Sequence, residues 1–462
     1  VDMSDRRYDV VILGSGIGGT LLGAVLARQG LRVLLLEQGT HPRFTIGEST
    51  NPETSLHLRI LARRYDVPEI EDLSSFHSVA ARVATSCSIK RNFSFVYHRP
   101  GEPSRPHETS QFVTIAPPLG PDVHFFRQDI DAYMLAVAIE RGAEVRQQVR
   151  LAEVEIDADG VVVTLEGGER IAASYVVDAG GIQSPLARKF ALRESPCPLR
   201  TRSRTLYTHM VGVLPIDACG LGRAEHGLPS PLSQGTLHHI FDGGWLWVIP
   251  FDNHPASRSR LCSVGLNLAL DRHPPTGEAP EREFARLLAR FPTIGRQFAR
   301  ARPVRNFTAI DRLQFSSTRL VGDRYCLLPH AAAFVDPMFS SGLMITVISV
   351  NAIAHRLLAA ARDGDFSAAR FAFVDTWTKR MFAHFDRLVS CSYLSFADFE
   401  LWNAWQRLWM LGSFYGATGL FSVLGAWEEH HRQEAFELLE EKPLRGLQAI
   451  DCRVDLGGYQ LP

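Results

Sequence analysis

The period of the hydrophobic and polar positions changes several times along the chain, and each change predicts a different element. "YDVVIL" is a β-branched run ending at Leu13, "IGGTLLGAVLARQ" continues as an apolar helix over roughly 17–29, and "RVLLLE" makes a second strand ending at Glu37. "HFFRQDIDAYML" opens a helix at Arg127, and "YVVDAGGIQSPLAR" is a strand running into a second glycine turn. In "GGWLWVIPF" the alternation sends Trp245 and Trp247 to the same side of one strand, a face that must cover or exclude something flat. "SCSIKRNFSF" also alternates, and by composition alone its Lys90, beside Arg91, reads as a solvated surface charge.

The C-terminal third is helical in pattern. The apolar segment "LMITVISVNAIAHRLLAAA" is interrupted by Asn351, His355 and Arg356, which predicts a buried helix and not a membrane span. Phe399, Trp402, Trp405 and Trp409 recur at spacings of three and four. That stripe is expected to pack against a neighbouring domain, with a lid over an aromatic ligand as the sharper alternative.

Composition narrows the class without naming a function. The 462 residues are too many for one simple core, and 45% hydrophobic with 21% charged residues is ordinary for a soluble globular protein. A net charge of −1 gives no reason to expect nucleic acid or a membrane surface as partner. Seven scattered cysteines without a C-x-x-C fit reduced thiols, and "SDRR" running straight into the first strand leaves no room for a signal peptide, so a cytoplasmic protein is expected. "EEHH" at 428–431 lacks i,i+4 histidines and reads as a solvated helix face, so no metal is expected.

The chemistry begins at the first turn. Gly14, Gly16 and Gly19 form G-x-G-x-x-G between strand and helix, where absent side chains let backbone amides approach a pyrophosphate. Glu37, closing the second strand, can accept from both ribose hydroxyls and would repel a 2′-phosphate, so FAD or NAD fits and NADP does not. Gly47, Glu48 and Ser49 resemble the G-E-S segment that runs along the isoalloxazine in one class of FAD enzymes. Arg127, at a helix start, matches an arginine that reaches the cofactor in that class.

Three further motifs carry a resemblance to the flavin-dependent halogenases, in their phenol and pyrrole branch. "WLWVIP" matches W-x-W-x-I-P, Lys90 matches the family's single essential lysine, and "FVDPMFSSG" matches F-x-x-P-x-x-S-x-G through Phe334, Pro337, Ser340 and Gly342. The resemblance spans nearly the whole chain to about residue 430, and the chain stops at "GGYQLP", sooner than expected for this branch. It implies an enzyme of secondary metabolism, such as antibiotic biosynthesis, that uses FAD as FADH2 from a separate flavin reductase, with oxygen and chloride or bromide. Helix-opening backbone at Ser341 and Gly342 would bind the halide. Trp245, Trp247 and Ile249, with Phe339, would keep a small aromatic substrate away from the flavin. Hypohalous acid would then travel to a separate pocket, where Lys90 orients it by hydrogen bonding or as a chloramine.

Two departures qualify these expectations. Where tryptophan halogenases carry a glutamate, this chain has Phe339, so chlorination of free tryptophan is not expected. A Gly-Asp pair common in such flavoenzymes is replaced by Pro329 and His330, leaving Asp336 as a candidate cofactor contact. Motif order implies an α/β fold: a GR2-type, Rossmann-like FAD domain from 1–86, 127–195 and 305–380, interleaved with a β-sheet substrate domain from 87–126 and 196–304. A helical region follows over 381–462. A single-component aromatic monooxygenase, a non-catalytic flavin-binding protein and a carrier-tethered substrate remain open alternatives.

Overall fold

A computed structural model describes residues 7–114, 120–430, 433–436 and 439; His431 of the "EEHH" run and the closing "GGYQLP" lie outside these. The βαβ unit forms as its pattern predicts, with strand Tyr8–Leu13, helix Ile17–Arg28 and strand Val33–Glu37. These strands join Glu144–Gln147, Arg170–Asp178 and Tyr325–Leu327 in a parallel core, extended by antiparallel Leu151–Ile156, Val161–Leu165 and Val321–Gly322. Leu13 pairs with Asp178, so both glycine turns leave neighbouring strands side by side at the carboxyl end of the sheet. That edge is where open α/β sheets bind their ligands.

A second sheet runs Arg302–Pro303, Ser203–Val211, Cys262–Ala269, Gly244–Pro250, Thr236–Phe241, Asn92–Tyr97 and Thr109–Val113. Its alternation divides two cores. Trp245, Trp247 and Ile249 face an aromatic cluster shared with the C-terminal helices, while Leu246 and Val248 face a separate aliphatic core. Strand Thr308–Ile310 also pairs with Ser203–Val211, so the division expected at residue 305 falls short: the substrate-side sheet takes one more strand before the chain returns to the nucleotide layer. Hydrogen-bonding edge, which a single strand's sequence does not specify, decided that membership.

Helix Ser341–Asp363 is mostly buried, as expected of "LMITVISV", and lies against the first helix and Pro52–Tyr65. Phe399–His430 is one continuous helix whose tryptophan stripe packs on the second sheet: Trp402 meets Phe95 with ring centroids 5.2 Å apart, and Trp409 meets Phe93 at 5.1 Å. Both helices are long and apolar enough, by length and composition, to cross a membrane; Met344, Ile345 and Ile348 of the first and the tryptophan stripe of the second are buried in the aromatic cluster.

Candidate active site

A cavity of about 1620 Å³ begins at the first glycine turn and ends at the two tryptophans. That exceeds the ~300–1,000 Å³ of ordinary small-ligand sites and suits a dinucleotide. Gly14, with φ +102°, is in a conformation side chains avoid, and a Cβ on Gly19 would strike the Gly14 carbonyl oxygen at 2.2 Å, so these two lock the turn. A Cβ on Gly16 would meet only Arg43, at 3.6 Å, and would instead fill the cavity wall. Gly16 caps helix Ile17–Arg28 without a side-chain acceptor, so the first-turn amides are available to an anion. The turn therefore fits a pyrophosphate.

Glu37 is buried beside it. Its carboxylate accepts from the Ser15 amide and hydroxyl, both at 3.0 Å, and from the Gly39 amide at 2.8 Å. Burial pushes its pKa up, but these donors and the Arg43 guanidinium outweigh burial and hold it below the usual range. An ionised carboxylate at this position fits a ribose diol and not a 2′-phosphate.

Gly47, Glu48 and Ser49 line the middle of the cavity. Arg127 fixes that segment, donating to the carbonyls of Ile46 at 2.9 Å and Gly47 at 3.0 Å, while its other edge forms a two-point ion pair with Asp131. Glu48 is tied to His209 across 2.7 Å. His330, in place of the acidic residue common in related flavoenzymes, also lines the cavity; burial, with Arg127 nearby, pushes its pKa down to about 4, so it is a neutral ring at neutral pH.

Ser340, in the left-handed region at φ 54°, caps helix Ser341–Asp363 without a side-chain hydrogen bond to the first turn. Ser340 and Gly342 line the cavity and Ser341 is buried between them. A Cβ on Gly342 would lie 2.9 Å from His330 Nε2, so the helix start and the imidazole meet closely. Free first-turn amides against a neutral ring suit a small anion.

Asp336 departs from expectation. It is outside the cavity lining, buried, and occupied by Ser203 Oγ and Tyr393 Oη, each at 3.1 Å, and by the Met338 amide. Burial pushes it up to about 7 against those donors. It ties the "FVDPMF" turn to the second sheet through Ser203 and to helix Ala372–Ser395 through Tyr393. Phe339 likewise lies outside the cavity lining, packed against Trp409 at a centroid distance of 4.5 Å with the rings tilted by 30°.

Trp245, Trp247 and Ile249 close the far end of the cavity. Beyond them lies the aromatic cluster of Phe93, Phe112, Phe339 and Trp409, and His238, which lines the cavity beside Trp245, also touches Phe93. Lys90 stands at the junction. It is fully buried, contrary to its surface-like composition, because strand Ser88–Lys90 is sandwiched against Asp122–His124 and the Ser49–Thr50 segment. Its Nζ donates to Ser49 Oγ at 2.8 Å, to the Thr50 carbonyl and to Ser340 Oγ at 3.4 Å, and sits 3.4 Å from the centre of the Phe93 ring. Ser49 and Ser340 line the cavity, so the ammonium lies one layer behind its wall. Asp122, which faces Lys90, carries no motif of its own; only strand pairing reveals it.

Comparison with known proteins accords with this geometry. The tryptophan halogenase family model matches residues 105–415, and a Rossmann-like NAD(P)-binding domain model matches 12–68. Monodechloroaminopyrrolnitrin halogenase PrnC of Pseudomonas fluorescens is 48% identical over 95% of this chain and 77% of its own. The tetracycline 7-halogenase of Kitasatospora aureofaciens is 45% identical over 96% of this chain and 80% of its own. Halogenase PltM, solved with phloroglucinol and FAD, is 40% identical with a TM-score of 0.92, over 95% of this chain and 87% of that one. This chain belongs to the tryptophan halogenase family and is a flavin-dependent halogenase, an oxidoreductase that uses FAD, oxygen and halide on a small aromatic substrate.

Proposed function

We propose that the enzyme halogenates a freely diffusing, electron-rich phenol or pyrrole, and that Lys90 presents hypohalous acid to the ring. The observation that carries this reading is the buried Lys90 ammonium between the cofactor cavity and the aromatic cluster. Gly14, Gly16 and Gly19 would hold the pyrophosphate, Glu37 the ribose, and the Gly47–Ser49 segment braced by Arg127 the flavin ring. Bound reduced FAD supplies the electrons with which oxygen converts chloride or bromide to hypohalous acid.

The chain's own residues then act on what leaves that site. The first-turn amides at Ser341 and Gly342 retain the halide. Trp245 and Trp247 exclude the organic substrate from the flavin end, so the small oxidant passes and the ring does not. Ser49 and Ser340 border both the cavity and Lys90, making them the crossing point. Lys90 Nζ donates to the hypohalous oxygen, which withdraws electron density from the halogen and aims it at a ring carbon; the O–halogen bond breaks as the carbon–halogen bond forms, the departing hydroxide leaves as water, and the same ring carbon loses its proton, so that one aromatic C–H and one hypohalous acid become one C–halogen bond and one water. The ring's own hydroxyl or nitrogen supplies the activation, since Phe339 offers no base.

The relatives support an electron-rich acceptor: monodechloroaminopyrrolnitrin for one, tetracycline for another, and phloroglucinol bound to a third. The deciding experiment is Lys90→Ala with chemically reduced FAD, oxygen and bromide, under a hypohalite scavenger. The variant should bind FAD and consume oxygen like the wild type while product falls by ~10²- to 10⁴-fold. Regioselective product above about a tenth of wild type would overturn the lysine's assigned part.

A further inference from the structure

Lys90 and Asp122 are directly paired residues of the antiparallel strands Ser88–Lys90 and Asp122–His124. Paired residues across such strands carry their Cβ atoms only ~4.5–5.5 Å apart on one face. Lys90 has no exposed surface and Asp122 is 3% exposed. Asp122 Oδ1 accepts from Ser55 Oγ at 2.7 Å, and its Oδ2 has no hydrogen-bond partner. The other titratable groups facing Lys90 are His124 and His238. His124 is bonded to Ser88 and Thr236, and His238 donates to the Ser94 carbonyl; burial pushes both imidazoles well down, so neither is a second cation at neutral pH.

Resting on the lysine reading above, we propose that Asp122 is the positioning residue for Lys90: its carboxylate, on the same face of the strand pair, keeps the ammonium charged in a place solvent does not reach, so that it holds its direct contacts to Ser49, Thr50 and Ser340. An isolated buried ammonium sheds its proton, and a buried cation persists only beside an anion. Burial pushes Lys90 well below its ordinary value while Asp122 opposes that shift; burial pushes Asp122 up to about 6 while Lys90 and Ser55 pull it down. On this proposal the productive state is the one that carries both charges. Loss of the proton from Lys90 ends it on the alkaline side, and gain of a proton by Asp122 ends it on the acid side. Ser55, on helix Pro52–Tyr65, tunes the second limb through its one hydrogen bond.

The test compares wild type, Asp122→Asn, Ser55→Ala and Lys90→Ala, supplied with chemically reduced FAD, oxygen, bromide and a phenol, with brominated product measured against pH and FAD binding followed separately. Asp122→Asn is expected to keep FAD affinity within about twofold, to lose ~10- to 100-fold in product, and to move its alkaline limb to lower pH. Ser55→Ala keeps the carboxylate and is expected to move the acid limb to higher pH. Wild-type yield and profile in Asp122→Asn beside an inactive Lys90→Ala overturns this inference alone. A fully active Lys90→Ala overturns the lysine reading and this one together. If Asp122→Asn does not fold, an unshifted acid limb in Ser55→Ala overturns the proposal. Parallel loss of FAD binding and product at every pH, with limbs unmoved, makes the pair structural and also overturns it.

Discussion

Trp247 lies directly against Gly265 of the neighbouring strand: the two are paired residues, and a Cβ built on the glycine would sit 2.0 Å from the indole Cη2. The indole is held by that flat backbone on one side, by Trp245 at a centroid distance of 5.9 Å, and by a hydrogen bond from its Nε1 to Ser263 Oγ at 3.2 Å. The wall between the cofactor cavity and the aromatic cluster thus depends on a missing side chain as much as on the two indoles.

Gly265→Ala should push the Trp247 ring out of place. Overpacking of this kind costs ~1–3 kcal/mol, and the folded protein should lose both melting temperature and FAD affinity. Thermal unfolding with and without FAD reads both effects; an Ala variant with unchanged FAD affinity would show that the ring has room to move.

Gly16→Leu should remove FAD without unfolding the chain. The added side chain enters the cavity and not a packed core, since only Arg43 lies within reach of its Cβ. Cofactor content by absorbance should fall to background while circular dichroism stays native. Retention of stoichiometric flavin would mean the pyrophosphate does not rest on this turn.

Glu53 predicts a pH dependence of stability. It is buried on helix Pro52–Tyr65, its Oε1 has no hydrogen-bond partner, and burial pushes its pKa from 4.5 up to about 8. Between those values the unfolded chain is ionised at this residue and the folded chain holds its proton, so stability falls as pH rises from about 4.5 to about 8 and then levels. The effect should reach the order of a few kcal/mol at most. Denaturant melts of Glu53→Gln should lack this fall relative to wild type; parallel curves across the range would show Glu53 ionised in the fold.

Substrate electronics give a fourth test. With Phe339 packed against Trp409 and no carboxylate at that position, resorcinol-like phenols and pyrroles should be halogenated at least about tenfold faster than free tryptophan, a gap worth ~1.4 kcal/mol of barrier. Competition between phenol and tryptophan in one reaction, read by bromine isotope doublets, measures the ratio. Efficient, single-position halogenation of tryptophan would contradict it.

Much of this protein was legible in local pattern. Period alone determines the first βαβ unit, the helix at Arg127, the long buried helix after "FSSG" and the shared face of Trp245 and Trp247, because each depends on residues within a few positions of one another. The glycine turn and Glu37 were legible for the same reason: the chemistry that binds a dinucleotide is packed into one continuous segment. Tertiary structure decided what lies far apart in the chain. It buried Lys90, whose charged neighbour Arg91 suggested solvent, by closing Asp122–His124 and Ser49–Thr50 over it. It placed Asp336 outside the cavity lining, bonded to Ser203 and Tyr393, and it gave Thr308–Ile310 to the second sheet. Burial of a charge and choice of a strand partner are set by segments tens or hundreds of residues away, and the local pattern carries no record of them.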